Sequence, residues 1–268
     1  MSKRIRTFSI LMPVYQGDSY EDVKFTLDNV RELELDEVLI VQDGPISKEV
    51  GTLLENYCGL HAYRLLKFSI NRGLGACLRD GVENLHSDYF FRIDPGDMII
   101  PGLIAYTKSK VIDLNLDLFG GQMGEFENDP AIVKNKRTVP LDAENIRRYA
   151  RYRNPFNHIT ICAKKSAVLG VGNYPFDSLR HEDYGLWLSM LQNNKKVANS
   201  SNTLALARLG SNFSSRRSGF KYFVLEVNFV LKYIDFFKFW SVPYLLIRLP
   251  VRMSNLISKM CYGLMRKY

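Results

Sequence analysis

The sequence predicts an α/β fold with a parallel sheet at its core and a basic helical extension behind it. Three observations lead there. Short apolar runs alternate with helical stretches of about 10–15 residues, the signature of βαβ units. The apolar runs are near-continuous rather than alternating, as strands covered on both faces require. Two of them stop at acids set beside Gly and Pro, at Asp43-Gly44-Pro45 and Asp94-Pro95-Gly96-Asp97. In open α/β sheets, ligands bind at the carboxyl ends of strands.

Thr7 to Tyr15 reads as the first buried strand, followed by the polar turn Gln16-Gly17-Asp18-Ser19. Ser19 is the expected N-cap of a helix with Glu21 and Asp22 in its first turn. Asp36 to Val41 is a second strand, Ser47 to Tyr57 a helix and Ala62 to Phe68 a third strand. Asn71-Arg72-Gly73-Leu74-Gly75 opens a helix to about Leu85. It lacks the GxGxxG fingerprint of dinucleotide sites, but amides at a helix start suit a phosphate or a base. Tyr89 to Ile93 is the next strand, and a helix follows Pro101. Leu116 to Gly120 reads as a strand, Glu125 to Pro140 as a polar surface loop and Leu141 to Arg153 as a basic helix. Asn154-Pro155-Phe156-Asn157-His158 leads to strand Ile159 to Ala163, and Lys164 to Leu169 is a short helix. Tyr184, Trp187, Leu188 and Leu191 fall at helical spacing, which places Glu182 and Asp183 in a first turn. There they either complement the helix dipole or serve a cleft as a general base. Val197 to Leu209 holds one or two short strands, and Gly210 to Gly219 is a polar loop carrying Arg216 and Arg217.

The 268 residues suffice for one large core with an appendage. Cys58, Cys77, Cys162 and Cys261 are scattered without a CxxC pair, so free thiols in a reducing compartment are expected. The basic start is followed by a short apolar run broken at Pro13, unlike a secretory signal, and no uncharged run approaches the ~18 residues of a spanning helix. From Ala205 onward eleven basic residues face two acids, a net of +9, while the whole chain carries +8. The body is therefore almost neutral and the tail strongly basic, pointing to an anionic surface, membrane or nucleic acid. From Phe220 the tail is aromatic and aliphatic with interspersed Lys and Arg, broken at Pro243 and Pro250. That composition fits an interfacial membrane helix, or a helical pair packed on the domain. The expected boundary sets residues 1–219 apart from a membrane-associating region, 220–268.

The turn at Asp94 gathers the chemistry. Pro95 fixes φ, Gly96 permits positive φ, and the tight turn presents Asp94 and Asp97 at a strand end. Two acids so placed suit a divalent cation holding a diphosphate, or serve as capping residues only.

Six motifs in order resemble one known family: Met12-Pro13-Val14-Tyr15, Val41-Gln42-Asp43-Gly44-Pro45, Asn71-Arg72-Gly73-Leu74-Gly75, Arg92-Ile93-Asp94-Pro95-Gly96-Asp97, Asn154-Pro155 with His158, and Glu182-Asp183-Tyr184-Gly185-Leu186-Trp187. Over roughly residues 7–217 the chain resembles family 2 glycosyltransferases with the GT-A fold, a Rossmann-like nucleotide-binding mixed sheet flanked by helices. It looks closest to the amylovoran-type bacterial enzymes of exopolysaccharide and O-antigen synthesis. The resemblance implies inverting transfer from a nucleotide-sugar, with a UDP-sugar expected, to a lipid-linked saccharide at the inner face of the cytoplasmic membrane. It implies that Pro13, Tyr15, Asp43, Asn71, Arg72 and Asp94 bind the donor, with Asp43 at the base and Asp94 near the ribose. Asp94 and Asp97 would hold Mn²⁺ or Mg²⁺. Asp183 would deprotonate the acceptor beside Glu182, while His158, Arg216 and Arg217 flank acceptor or diphosphate.

The family usually reads Asp-Ala-Asp-Asp where this chain has Asp94-Pro95-Gly96-Asp97. Gly96 thus replaces the usual second metal acid, so Asp97 or a water stands in, or the metal binds weakly. That departure also motivates an alternative, a nucleotide-sugar-binding relative without turnover. A nucleic-acid-binding protein acting through its basic tail is a second alternative, without any recognised nucleic-acid motif to accompany the charge.

Overall fold

The computed structural model describes residues 5–176, 181–209 and 220–237. The sheet begins with β1 (Phe8–Val14), β2 (Glu37–Asp43), β3 (Tyr63–Phe68) and β4 (Tyr89–Arg92). All four run parallel, in the order β3-β2-β1-β4. Every residue of β1 is buried, as a parallel strand covered on both faces demands. The connecting helices α1 (Tyr20–Arg31), α2 (Lys48–Cys58) and α3 (Leu74–Asn84) begin where their caps predict. Ser19 accepts from the Asp22 amide and Ser47 from the Val50 amide. Val23, Leu27 and Val30 of α1 meet Ile10, Met12 and Phe91 of the strands in one core.

Beyond β4 the sheet becomes mixed. β5 (Met98–Ile99) precedes α4 (Ile104–Asp113), β6 (Leu118–Phe126), β7 (Asn135–Arg137) and α5 (Ala143–Tyr149). Then come β8 (Cys162–Lys164), α6 (Lys165–Leu169), α7 (Glu182–Gln192) and β9 (Val197–Arg208). β8 lies antiparallel between β4 and β6, while β6 and β9 are parallel.

The sequence expectations are corrected in this second half. The polar stretch from Glu125 to Pro140 is not all loop, because β6 runs on to Phe126 and β7 pairs back against it. Residues 197–208 form one strand of twelve residues, held by β6 along its length. Residues 158–160 form a 3₁₀ turn, and the strand starts only at Cys162. The basic helix ends at Tyr149, short of Arg151 and Arg153.

The chain divides into two compact units, one reaching Arg208 without residues 151–153, the other made of those three and the residues beyond. In the second, α8 (Phe220–Lys232) and α9 (Ile234–Phe237) bring the rings of Phe229, Tyr233 and Phe237 together. Val224, Leu231 and Ile234 remain exposed. No helix among the described residues is long and apolar enough to cross a membrane. Cys58, Cys77 and Cys162 are free thiols.

Candidate active site

The strand order reverses between β1 and β4, and the residues just past their carboxyl ends define a cleft edge. Pro13 is buried within β1, and Tyr15 lies half exposed just beyond it. The Tyr15 amide donates to Asp18 at 2.8 Å. At the end of β2, Asp43 is only 4% exposed at its side chain. Its two oxygens accept from the amides of Arg72 (3.0 Å) and Gly73 (2.9 Å), and the Asn71 amide group donates to the Asp43 carbonyl at 3.1 Å. Asp43 therefore clamps the loop that opens α3. Arg72 lies over the Phe68 ring at 3.5 Å and pairs with Asp80 at 2.6 Å.

Past β4 the two acids have different surroundings. Asp94 is 38% exposed at its side chain and ion-paired to Arg92, which is 2% exposed. Asp97 is buried and accepts the Arg208 amide at 3.0 Å. Burial, with the charge of Asp94 added, pushes its carboxyl well above the ordinary value. Thr26 of α1 donates to the carbonyls of Asp97 (2.8 Å) and Asp94 (3.2 Å), and Gly96 donates to the Asp22 carbonyl at 3.0 Å. Gly96 has φ +89°, and a Cβ there would stand 3.2 Å from the Asp22 carboxylate. Asp22 and the Arg208 guanidinium lie 3.4 Å apart. Asp18 is pushed up to about 7 by burial, opposed by the Tyr15 amide and reinforced by Asp94 and Asp22.

Among the described residues, no three His, Cys, Asp or Glu side chains converge to hold a metal ion. The turn does fit a divalent ion of the Mg²⁺ type, which takes one or two carboxylates and completes its shell with substrate phosphates and water. Asp94 is the accessible carboxylate at that turn. Asp97, the second expected ligand, is buried and accepts the Arg208 amide at Oδ1.

The opposite edge is built by α7. Tyr184, Leu186, Trp187, Leu188 and Leu191 anchor the helix in the core, and Trp187 packs on Phe156 and His158. That anchoring leaves Glu182 and Asp183 half buried at the helix start. Asp183 accepts from the Asn154 side chain at 2.6 Å and from the Tyr184 amide at 2.7 Å, so both oxygens are oriented. Burial and the neighbouring Asp183 push Glu182 from 4.5 to about 7. His158 meets the Tyr174 hydroxyl at 2.9 Å, and burial with the charge of Arg92 drives its imidazole well below the usual range, leaving it neutral. A Cβ on Gly75 would lie 3.4 Å from Glu182 Cβ and 2.9 Å from the Pro175 carbonyl. The α3 start and the α7 start are thus immediate neighbours. Arg216 and Arg217 lie outside the described residues.

Three residues emerge that the sequence reading did not assign. Arg92 is the lone cation of an apolar strand, a visible signal. Asp18 and Asp22 follow β1 as unremarkable turn and helix-start acids, and only the folded chain brings them beside Asp94.

The profile of "Glycosyl transferase family 2" matches residues 9–171, and the chain belongs to that family. It is 29% identical over 226 residues to the amylovoran biosynthesis glycosyltransferase AmsE of Erwinia amylovora, covering 82% of this chain and 83% of that one. It is 30% identical over 237 residues to the UDP-Gal:alpha-D-GlcNAc-diphosphoundecaprenol beta-1,3-galactosyltransferase of Escherichia coli, covering 85% and 83%. An uncharacterized glycosyltransferase of Haemophilus influenzae is 30% identical over 79% of both chains. The fold matches S. aureus TarS 1-349 in complex with UDP-GlcNAc, with TM-score 0.65 and 15% identity over 84% of this chain and 66% of that one. It also matches the mannosyltransferase PcManGT from Pyrobaculum calidifontis in complex with GDP-Man and Mn²⁺, with TM-score 0.60, 12% identity and 99% and 82% coverage. The fold is GT-A, and the protein is a glycosyltransferase with relatives in bacterial polysaccharide synthesis.

Proposed function

We propose that the protein transfers a sugar, with inversion, from a UDP-sugar to a lipid-linked saccharide during bacterial surface polysaccharide synthesis. The observation that carries this reading is the orientation of Asp183, whose two oxygens are held by Asn154 and the Tyr184 amide at the cleft edge beside α3. The acceptor oxygen forms a bond to the anomeric carbon while the bond to the β-phosphate oxygen breaks. Asp183 takes the acceptor's proton, and the nucleoside diphosphate leaves on the opposite side. The expected base is thereby an oriented carboxylate, and the nearby Glu182 holds its own proton near neutrality.

On the donor side, the loop that Asp43 clamps offers its outer face to the nucleotide, with Tyr15 and Arg72 as walls. Asp94 provides the carboxylate for a divalent ion, which would offset charge on the departing diphosphate when bound. His158, held neutral against Tyr174, lines the acceptor side as a hydrogen-bonding group rather than a charge. Arg216 and Arg217, which the family resemblance alone assigns, flank the acceptor or the diphosphate in this reading. The relative from E. coli, named for a diphosphoundecaprenol acceptor, and the basic tail together support an acceptor in the cytoplasmic membrane.

The reading is tested by nucleotide release from a panel of UDP-, GDP-, dTDP- and CMP-sugars, with and without Mn²⁺ or Mg²⁺, using membrane extract as acceptor. Metal-stimulated release from a UDP-sugar, with a product of inverted anomeric configuration, is expected. Release from a different nucleotide class, or a product that retains configuration, contradicts it.

A further inference from the structure

Arg92 is the most anomalous residue of the sheet. It stands in the strand sequence Tyr89-Phe90-Phe91-Arg92-Ile93, where every neighbour is buried and apolar, and its own side chain is 2% exposed. One of its terminal nitrogens pairs with Asp94, and among the described residues its Nε has no hydrogen-bond partner. A buried guanidinium with an unsatisfied donor is a poor stabilising device. Desolvating the charge costs several kcal/mol, and a buried ion pair replaced as a whole by apolar residues of similar volume often leaves the fold as stable or more so.

Its surroundings explain its presence better than stability does. Arg92 pairs with Asp94 just past the end of β4. Its charge also acts on Asp97, Tyr174, His158 and Glu182. Asp94 is the exposed member of its pair and projects from a turn, so its carboxylate has rotational freedom unless something below holds it. The guanidinium does so from the strand, where the backbone of β4 is fixed by β1 on one side and β8 on the other.

We infer that Arg92 is a positioning residue of the transfer site: its buried guanidinium orients the Asp94 carboxylate toward a metal-bound donor diphosphate. This rests on the donor reading given above. Arg92 does not itself touch the substrate. Its effect on the donor passes through Asp94, so its removal should weaken the metal-assisted part of nucleotide binding and spare the rest.

The test compares the full-length wild type with Arg92→Met and Arg92→Lys. Thermal unfolding is followed without ligand, and UDP binding is measured by calorimetry with and without Mn²⁺. Removing one partner of a buried pair is costly when the other stays buried; Asp94 is 38% exposed and can rehydrate, so Arg92→Met is expected to unfold within a few degrees of the wild type. In the variant the enhancement of UDP affinity by Mn²⁺ should collapse by roughly tenfold or more, and turnover should fall by about 100-fold, as for a misplaced reacting group. Metal-free UDP binding should stay near the wild-type value, and Arg92→Lys should restore part of the enhancement. A clear fall in unfolding temperature, with both affinities dropping in parallel, overturns the inference and makes Arg92 a structural strut. Unchanged metal enhancement in a stable Arg92→Met overturns it as well. Failure of the wild type to bind UDP sinks the donor reading separately. The ligand-free unfolding arm then judges Arg92 alone: undiminished stability in Arg92→Met supports a functional charge, and lost stability refutes it.

Discussion

Glu182 shows how one side chain at the cleft records its surroundings. Burial first, and Asp183 second, raise its carboxyl from 4.5 to about 7. Between those values the folded chain holds a proton that the unfolded chain has released. Its contribution to stability is therefore complete below about pH 4.5 and is lost as pH rises through about 7. A displacement of that size is worth on the order of 3 kcal/mol. Glu182→Gln keeps the shape and removes the titration. Thermal unfolding between about pH 5 and 8 should show the wild type losing stability relative to the variant as pH rises. Parallel curves would mean that Glu182 is solvated, contrary to the site described. Asp43, Asp94, Glu182 and Asp183 were legible as candidates because each stands at the end of a strand or the start of a helix, positions that pattern alone locates. Arg92 was visible as a charge in an apolar run, but its role was not, since its partners come from several different elements. The different exposure of Asp94 and Asp97 was equally hidden, because Asp97 is engaged by the Arg208 amide 111 residues away.

At the scale of elements, the first half of the chain was readable because its βαβ units are local and its helices are capped by Ser19 and Ser47. In the second half the helices α6 and α7 were readable, but the extents of the strands were not, for a physical reason. β6 contains Gly120, Gly121 and Gly124, poor strand formers, and holds as a strand through its pairing with β9 some 80 residues on. β7 is short and polar, and pairing against β6 makes it a strand. α8 carries exposed Val224 and Leu231 and α9 opens with exposed Ile234, with Lys232 close to the Tyr233 ring. Exposed apolar side chains on a helix within a +9 segment suit an anionic bilayer surface, where each Lys or Arg near the surface adds about 1 kcal/mol. The full-length protein should sediment with phosphatidylglycerol-containing vesicles at low salt, be released as salt rises, and stay in solution with purely zwitterionic vesicles. Equal partition to both vesicle types, or to neither, would remove the membrane role from the tail.

At the scale of the whole molecule, a nearly neutral body is joined to a strongly basic tail. Asp43 stands at the end of β2 and Asp94 just past the end of β4, and the start of α7, which carries Glu182 and Asp183, lies against the start of α3. In the proposed mechanism Asp183 is the group that activates the acceptor. The most direct test is therefore Asp183→Asn, which keeps the size of the side chain and removes its capacity to take a proton. The account predicts a fall in transfer of roughly 10²–10⁴-fold with UDP affinity within about twofold of the wild type, since the donor is bound from the other edge. Transfer at the wild-type rate, with nucleotide binding intact, would contradict it and move the proton acceptor elsewhere, with Glu182 the next carboxylate to substitute.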